Sequence, residues 1–133
     1  MLWSVLFIGG FAAFVGWKVF LPALLFSDAD EQLFRAARHG DRAGVERALD
    51  AGAGVNDPSP LDGRTAIFRS AAFGYPDVVR ALLERGADPA YQARDAGTVL
   101  DVVTATRGQE KNQEAARALD EVAAVLREWE RRK

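Results

Sequence analysis

The chain has 133 residues, 49% of them hydrophobic, and a formal net charge of -2 at pH 7. This length suits one domain with at most a small appendage, and the charge gives no basic footprint for nucleic acid. The absence of cysteine excludes a disulfide framework, a thiolate metal site and a cysteine nucleophile, but leaves the cell compartment open.

Residues 2–26 form an apolar segment whose only charged side chain is Lys18. As a helix this segment would extend about 37 Å, enough to cross a hydrocarbon core of about 30 Å. Lys18 lies off centre and can snorkel, and Trp3 and Trp17 suit the two interfaces. The sequence therefore predicts a single transmembrane helix or signal anchor over residues 1–26.

Other interpretations of this segment stay open. A cleaved signal peptide normally has a positive n-region, which is missing here, although Ser27-Asp28-Ala29 resembles a small-x-small cleavage site. A helix buried inside the globule is the third interpretation. After a predicted linker over residues 27–32 the chain is rich in charge, and the positive-inside bias favours a cytoplasmic domain over a periplasmic one.

Small side chains recur at four-residue spacing within the apolar segment. On a membrane helix such residues permit close approach of a second helix, although Gly and Ala are also common there without a packing role. The candidate packing residues are Gly9, Ala12, Ala13 and Gly16.

Residues 33–56, LFRAARHGDRAGVERALDAGAGVN, have the pattern of two short helices. Gly40 suits the turn between them and Gly52 the end of the second helix. Gly44 lies inside that second helix, where glycine costs about 1 kcal/mol relative to alanine. A loop rich in turn residues follows at 56–60.

The most informative stretch is 62–88, DGRTAIFRSAAFGYPDVVRALLERGAD. Thr65 is a predicted N-cap, whose hydroxyl would accept from the first turn of a helix that ends at Gly74. Pro76 begins a second helix, which ends at Gly86. A two-helix unit of this kind cannot bury its apolar face alone, so the pattern predicts a stack of units.

This stretch resembles an ankyrin repeat, whose signature is D-G-x-T-P-L-H-x-A-A-x-x-G-x-x-x-V-V-x-x-L-L-x-x-G-A-D. Phe68 replaces the family's His, which normally hydrogen-bonds to neighbouring loops, so apolar packing is expected to replace that network. The matching residues are Asp62, Gly63, Thr65, Ala71, Gly74, Val78, Val79, Leu82, Leu83, Gly86, Ala87 and Asp88.

The resemblance extends to both sides of the central unit. Gly40 and Gly52 precede Gly74 and Gly86 by 34 residues each, and Thr98 lies where the family spacing places the next repeat. The polar stretch 107–113 departs from the family pattern. A long helix over about 114–131, with an apolar stripe that includes Trp129 as an edge-covering core residue, is expected to cap the stack.

The resulting expectation is an all-α fold. An ankyrin-repeat solenoid would occupy residues 33–133, preceded by the single transmembrane helix. Its repeats would span about 33–56, 62–90 and 95–131.

No residue pattern indicates catalysis. His39 is the only histidine, and a lone exposed His is far more often inert than catalytic or ligating. Carboxylates lie in the predicted linker or on solvated faces, and the pair Gly9-Gly10 lies in the apolar segment instead of in a phosphate loop after a strand. We therefore expect no enzyme activity, no cofactor and no metal site.

The resemblance implies a protein partner bound by the hairpin tips and the exposed face of the inner helices. Phe73 suggests an aromatic anchor, although Phe73 and Tyr75 could instead pack on the loop 58–61. Arg69 and Arg80 are expected on solvated helix faces. The candidate binding residues are Arg38, His39, Leu61, Asp62, Arg64, Phe73, Tyr75, Arg94 and Asp95.

Anchor and repeats together predict a membrane-tethered interaction module, acting as an accessory or scaffold subunit. Its concave face would bind a partner protein, such as the soluble face of a larger membrane complex, and it would not bind nucleic acid. The alternative is an exported, periplasmic ankyrin-repeat protein that acts in stress protection or toxin immunity.

Overall fold

The computed structural model describes residues 27–133. The predicted membrane helix, with its packing residues Gly9, Ala12, Ala13 and Gly16, lies outside these residues. Within the described part, no helix combines the length and apolar character that crossing a bilayer requires. This part contains six helices and no strand: α1 Asp28–His39, α2 Arg42–Asp50, α3 Ala66–Ala72, α4 Pro76–Glu84, α5 Val99–Gln109 and α6 Gln113–Arg131.

The helices form two layers. In the inner layer α3 contacts both α1 and α5, and in the outer layer α4 contacts both α2 and α6. Each inner helix also packs on the outer helix that follows it in the chain. The structure therefore confirms the expected all-α stack of helix pairs, because each pair buries its apolar face against its neighbour.

The glycines predicted to end helices do so. Gly40 and Gly74 have left-handed φ values of 71° and 77°, a conformation that glycine adopts without steric cost. α4 ends before Gly86, and Pro76 occupies its first turn. The core between the layers includes fully buried large side chains from every pair of helices: Leu33, Val45, Ile67, Phe68, Val79, Leu82, Leu83, Val99, Val103, Val122 and Leu126.

α1 begins earlier than predicted. The linker predicted at 27–32 is wrong, because Ser27 is an N-cap and the helix starts at Asp28. The carboxylate of Asp30 accepts hydrogen bonds from the Ser27 N–H at 2.8 Å, the Ser27 hydroxyl at 2.9 Å and the Gly54 N–H at 2.9 Å. Asp30 is only 3% exposed, and it joins the start of the first inner helix to the loop after α2.

Asp30 makes the stability of the first repeat dependent on pH. Burial raises the pKa of this carboxyl, but the hydrogen bonds from Gly54 and Ser27 outweigh burial and hold the pKa below its ordinary value of 3.8. A depressed pKa means that the stabilising contribution is present above the unfolded-state pKa and is lost as the pH falls through the folded-state pKa.

We expect Asp30→Ala to lower the free energy of unfolding by about 2 kcal/mol at pH 7, because it removes the buried carboxylate that accepts the part-buried N–H groups of Ser27 and Gly54. Urea denaturation of variant and unchanged protein at several pH values measures this difference. The difference should shrink as the pH falls below the ordinary value of 3.8, because the unfolded chain then binds a proton at Asp30 before the folded protein does. A difference that stays constant down to about pH 2.5 would contradict the assigned role.

The N-cap at Thr65 does not work as predicted. Its side chain makes no capping hydrogen bond, and its buried hydroxyl has no hydrogen-bond partner within residues 27–133. At the start of α5, in contrast, the Thr98 hydroxyl accepts from the Asp101 N–H at 3.3 Å and donates to the Asp101 carboxylate at 2.8 Å. Phe68 stands at the equivalent third helical position of α3 and offers no acceptor that could hold the Thr65 hydroxyl.

The same substitution should therefore have opposite effects at the two N-caps. Thr65→Val removes a buried hydroxyl that has no partner in the described part of the chain, and it keeps the side-chain shape. We therefore expect a gain in unfolding free energy of about 1 kcal/mol. Thr98→Val breaks a working cap and should cost about 1 kcal/mol. Urea denaturation of both variants tests the contrast, and equal losses at both positions would show that Thr65 has a partner after all.

The last helix pair differs from prediction at its turn. Residues 107–109 belong to α5, so only 110–112 separate it from α6, whose first N–H groups donate to the Asn112 side chain. α6 turns Leu119, Val122 and Leu126 inward, and Trp129 is half-buried against the core as predicted.

Candidate functional site

A groove of about 510 Å³ lies between the outward face of α1 and the loop that leads to α3. It is a mixed site, with aliphatic, aromatic and charged side chains around one hollow. Its lining residues are Glu31, Phe34, Arg35, Arg38, His39, Ser59, Pro60, Leu61 and Arg69.

The first wall of the groove is one face of α1, and the helical period decides which residues lie on it. Leu33 and Ala37 point into the core with no exposed surface, so positions offset from them by one residue line the groove. Arg35 pairs with Glu31 at 3.0 Å, and both side chains remain about two-thirds exposed. An exposed pair of this kind contributes little to stability, so its charges remain available to a ligand.

The second wall is a loop closed by its own hydrogen bonds. The Ser59 N–H donates to the Arg64 carbonyl at 2.9 Å, and the Gly63 N–H donates to the Ser59 carbonyl at 2.8 Å. The buried Ser59 hydroxyl accepts from the Leu61 N–H at 3.3 Å. This loop presents the Leu61 side chain to solvent with 91% of its surface exposed.

Arg69 closes the bottom of the groove. Its guanidinium donates to both carboxylate oxygens of Asp62 at 3.2 Å and lies 5.2 Å from the ring centroid of Phe34. The prediction of a solvated Arg69 is wrong, because its side chain is only 19% exposed. The partners belong to two different repeats, so Arg69 fixes the loop against α1. Arg80 is closer to prediction: it is about half exposed and pairs with Asp77 and Glu121.

An exposed aromatic side chain borders the groove. Phe73 is 55% exposed, and the guanidinium of Arg38 lies 5.9 Å from its ring centroid. Within residues 27–133, Arg38 makes no ion pair with a carboxylate, in contrast to Arg35 and Arg69. The edge next to α3 therefore offers an aromatic face and a cation that no carboxylate of residues 27–133 pairs with.

The structure brings together only some of the predicted binding residues. Arg38, His39 and Leu61 line the groove, and Asp62 and Phe73 border it through Arg69 and Arg38.

The remaining predicted residues lie elsewhere or serve the fold. Tyr75 is half-buried with its ring against Gly40, so it joins two repeats and does not line the groove. Arg64 is half-buried and contributes its backbone to the loop. Arg94 and Asp95 are exposed in the loop before α5 and do not line the groove.

Six lining residues are not among the predicted binding residues: Glu31, Phe34, Arg35, Ser59, Pro60 and Arg69. Glu31 falls in the predicted linker. Phe34 and Arg35 lie in the first repeat, but the resemblance assigns only Arg38 and His39 of that helix to binding. Their spacing with Arg38 on one helix face is the available signal. Arg69 gives no such signal, because its position depends on Asp62 and on the stacking of two repeats.

The described residues contain no cluster of three or more His, Cys, Asp or Glu side chains arranged to hold a metal ion. The groove offers a ligand arginine charge, hydrogen-bonding groups and apolar contact.

Comparison with known proteins agrees with this architecture. A family model for ankyrin repeats in three copies matches residues 21–121. The match begins within the segment assigned to the membrane helix and covers every helix except the end of α6.

Three curated proteins are similar over the repeats. The chain is 36% identical over 88 residues to the horse (Equus caballus) ankyrin repeat, SAM and basic leucine zipper domain-containing protein 1. The matched region covers 66% of this chain and 18% of the horse protein. The platypus (Ornithorhynchus anatinus) protein of the same name is 36% identical over 89 residues, covering 67% of this chain and 18% of that protein.

The third relative is the E3 ubiquitin-protein ligase hecd-1 of Caenorhabditis elegans, 33% identical over 95 residues. That match covers 71% of this chain and 3% of the ligase. The chain thus spans less than a fifth of the length of these relatives, and the similarity concerns the repeats. From its paired helices, its repeat spacing and the match over residues 21–121, the chain belongs to the ankyrin-repeat family, a class of protein–protein interaction domains.

Proposed function

We propose that this protein is a membrane-tethered interaction module that holds a partner protein in the groove between α1 and the 59–61 loop. Ankyrin repeats are typically non-catalytic interaction domains, which supports a binding role. The observation that carries the proposal is Leu61, whose apolar side chain is 91% exposed on a loop fixed by hydrogen bonds. An exposed aliphatic group on a loop held by hydrogen bonds suits an interface anchor, because little entropy is lost on binding.

The tether rests on the sequence of residues 2–26, which has a single charged side chain. α1 begins directly after this segment, with Ser27 as its cap, so the repeats would lie close to the membrane surface. Cleavage after Ala29 would remove this cap and the first two residues of α1, which does not favour the exported alternative. The compartment that the repeats face is proposed as cytoplasmic, from the positive-inside bias.

The binding role is tested by affinity capture of the full-length protein, solubilised from membranes, with quantitative mass spectrometry. Leu61→Ser and Phe73→Ala should each lower recovery of the partner about tenfold, because each removes on the order of 1–2 kcal/mol of apolar contact. Ala124→Ser, at an exposed position on α6, is the control and should leave recovery unchanged. Equal recovery with all three variants would remove the groove from the interface.

The tether is tested separately by extraction of membranes that carry the full-length protein. Carbonate or high salt should leave the protein in the pellet, since a spanning helix resists both treatments. Release into the supernatant would contradict the tether and leave the binding proposal standing.

A further inference from the structure

We infer that the groove selects an acidic partner segment, an extended peptide that carries carboxylates around one large apolar side chain. This inference rests on the proposed function, because it specifies the chemistry of the partner bound at the same site. Its basis is charge complementarity: the groove is basic on a domain that is acidic.

The charge contrast is visible in the composition. Residues 27–133 contain all 19 carboxylates of the chain and all its Lys and Arg side chains except Lys18, so this part has a net charge of -3. The groove nevertheless presents three arginines, Arg35, Arg38 and Arg69, against two carboxylates, the lining Glu31 and the bordering Asp62, so it remains positively charged. Acidic residues elsewhere on the surface would repel an acidic peptide, so this charge distribution directs it to the groove.

The three arginines differ in availability. Arg69 is held by Asp62 and is mostly buried, so it shapes the site, while Arg35 shares its charge with an exposed Glu31. Arg38 has no carboxylate partner among residues 27–133, and its guanidinium lies beside the exposed ring of Phe73. A peptide carboxylate at Arg38 would form a charge-assisted hydrogen bond, which is stronger than a neutral one.

The apolar requirement comes from the opposite wall. Leu61 and Pro60 line the groove from the loop, whereas Arg38 and Phe34 line it from α1. A peptide in extended conformation places successive side chains on opposite sides, so acidic residues could face α1 while an apolar residue contacts Leu61. The groove thus favours a short peptide segment that carries both carboxylates and a large apolar side chain.

Selection from a random peptide library tests the inference, because it samples many partner sequences at once. The full-length protein in detergent is immobilised and exposed to displayed peptides of about 12 residues, each spanning roughly 40 Å when extended. We expect enrichment of Asp and Glu around Leu, Phe or Trp. The leading peptide, made synthetically with a fluorophore, should bind more weakly as salt is raised, because exposed charge pairs are screened.

Arg38→Glu and the milder Arg38→Gln should each weaken binding of that peptide at least about tenfold, since each removes the charge that the carboxylate pairs with. Arg117→Glu is the matched control: Arg117 is an exposed arginine on α6 with no ion pair among residues 27–133, and its reversal should leave the affinity unchanged. Thermal unfolding followed by circular dichroism verifies that each variant folds.

Three outcomes would overturn the inference: selected peptides that are neutral or basic, no selected peptide at all, or acidic peptides that bind both Arg38 variants unchanged. Binding of anionic lipid vesicles that is lost in the Arg38 variants, without any acidic peptide selected, would assign the basic groove to the membrane surface instead. If Leu61→Ser abolishes partner capture while the selected peptides are not acidic, the proposed function stands and only the partner chemistry is wrong.

Discussion

Phe68→Ala should lower the free energy of unfolding by about 3–5 kcal/mol, as removal of a buried aromatic ring does in other cores. Phe68 is 1% exposed, and its ring meets that of Tyr91 edge to face at a centroid distance of 6.2 Å. Tyr91 in turn donates its hydroxyl to the Gly63 carbonyl at 3.2 Å, so the cavity would also loosen the loop that lines the groove. The burial of Phe68 against Tyr91 shows apolar packing at the position of the family's histidine, as the sequence predicts.

The loss is large relative to the whole domain, since domains of this size are stable by only about 5–15 kcal/mol. Urea denaturation monitored by circular dichroism measures it. Phe73→Ala is the matched control, because the same side chain is removed from a position that is 55% exposed, and it should cost less than about 1 kcal/mol. Similar losses for both variants would show that Phe68 does not anchor the core.

Gly40→Ala should also be strongly destabilising, at about 2–4 kcal/mol. Two costs add up: a left-handed φ of 71° and a β-carbon only 2.6 Å from the ring of Tyr75. Gly63 allows the two costs to be measured separately. Its φ of 68° is close to that of Gly40, but a β-carbon added there would meet no atom of the described residues within 4 Å. Gly63→Ala should therefore cost only about 1–2 kcal/mol, from the backbone alone.

Thermal or urea unfolding of both alanine variants measures the difference, and a double variant assigns it. Tyr75→Ser removes the ring, so Gly40→Ala should cost no more than Gly63→Ala when it is made in that background. If Gly40→Ala is already as mild as Gly63→Ala in the unchanged protein, the Tyr75 ring moves aside freely and the two repeats are not locked at this point.

Local chemistry decided where most helices begin and end. Pro76 in the first turn of α4 and the left-handed glycines after α1 and α3 act through backbone preferences that depend on the residue itself, so they could be predicted. The predicted linker at 27–32 overlooked a local signal, because Ser27 and Asp30 form a capping box three residues apart. What could not be predicted is the hydrogen bond from the Gly54 N–H to the Asp30 carboxylate, 24 residues away. The cap at Thr65 is missing where Phe68, at the equivalent third position, offers no acceptor for the buried hydroxyl.

The groove was only partly predictable. Repeat spacing identified Arg38, His39 and Leu61, because the period assigns them to an exposed helix face and a loop tip. It misassigned Tyr75 and Arg69, because their roles depend on a neighbouring repeat: Gly40 under one ring, and Asp62 with Phe34 around one guanidinium.

The sequence by itself determined the family, the succession of paired helices and the apolar face of each, because periodicity, glycine and proline act over a few neighbouring residues. Only the tertiary structure decided which charges are paired and which face the groove. Arg69 is engaged by Asp62, whereas Arg38 lies beside Phe73 with no carboxylate partner among residues 27–133. The physical reason is that ion pairing and burial depend on distances between repeats, which stacking sets.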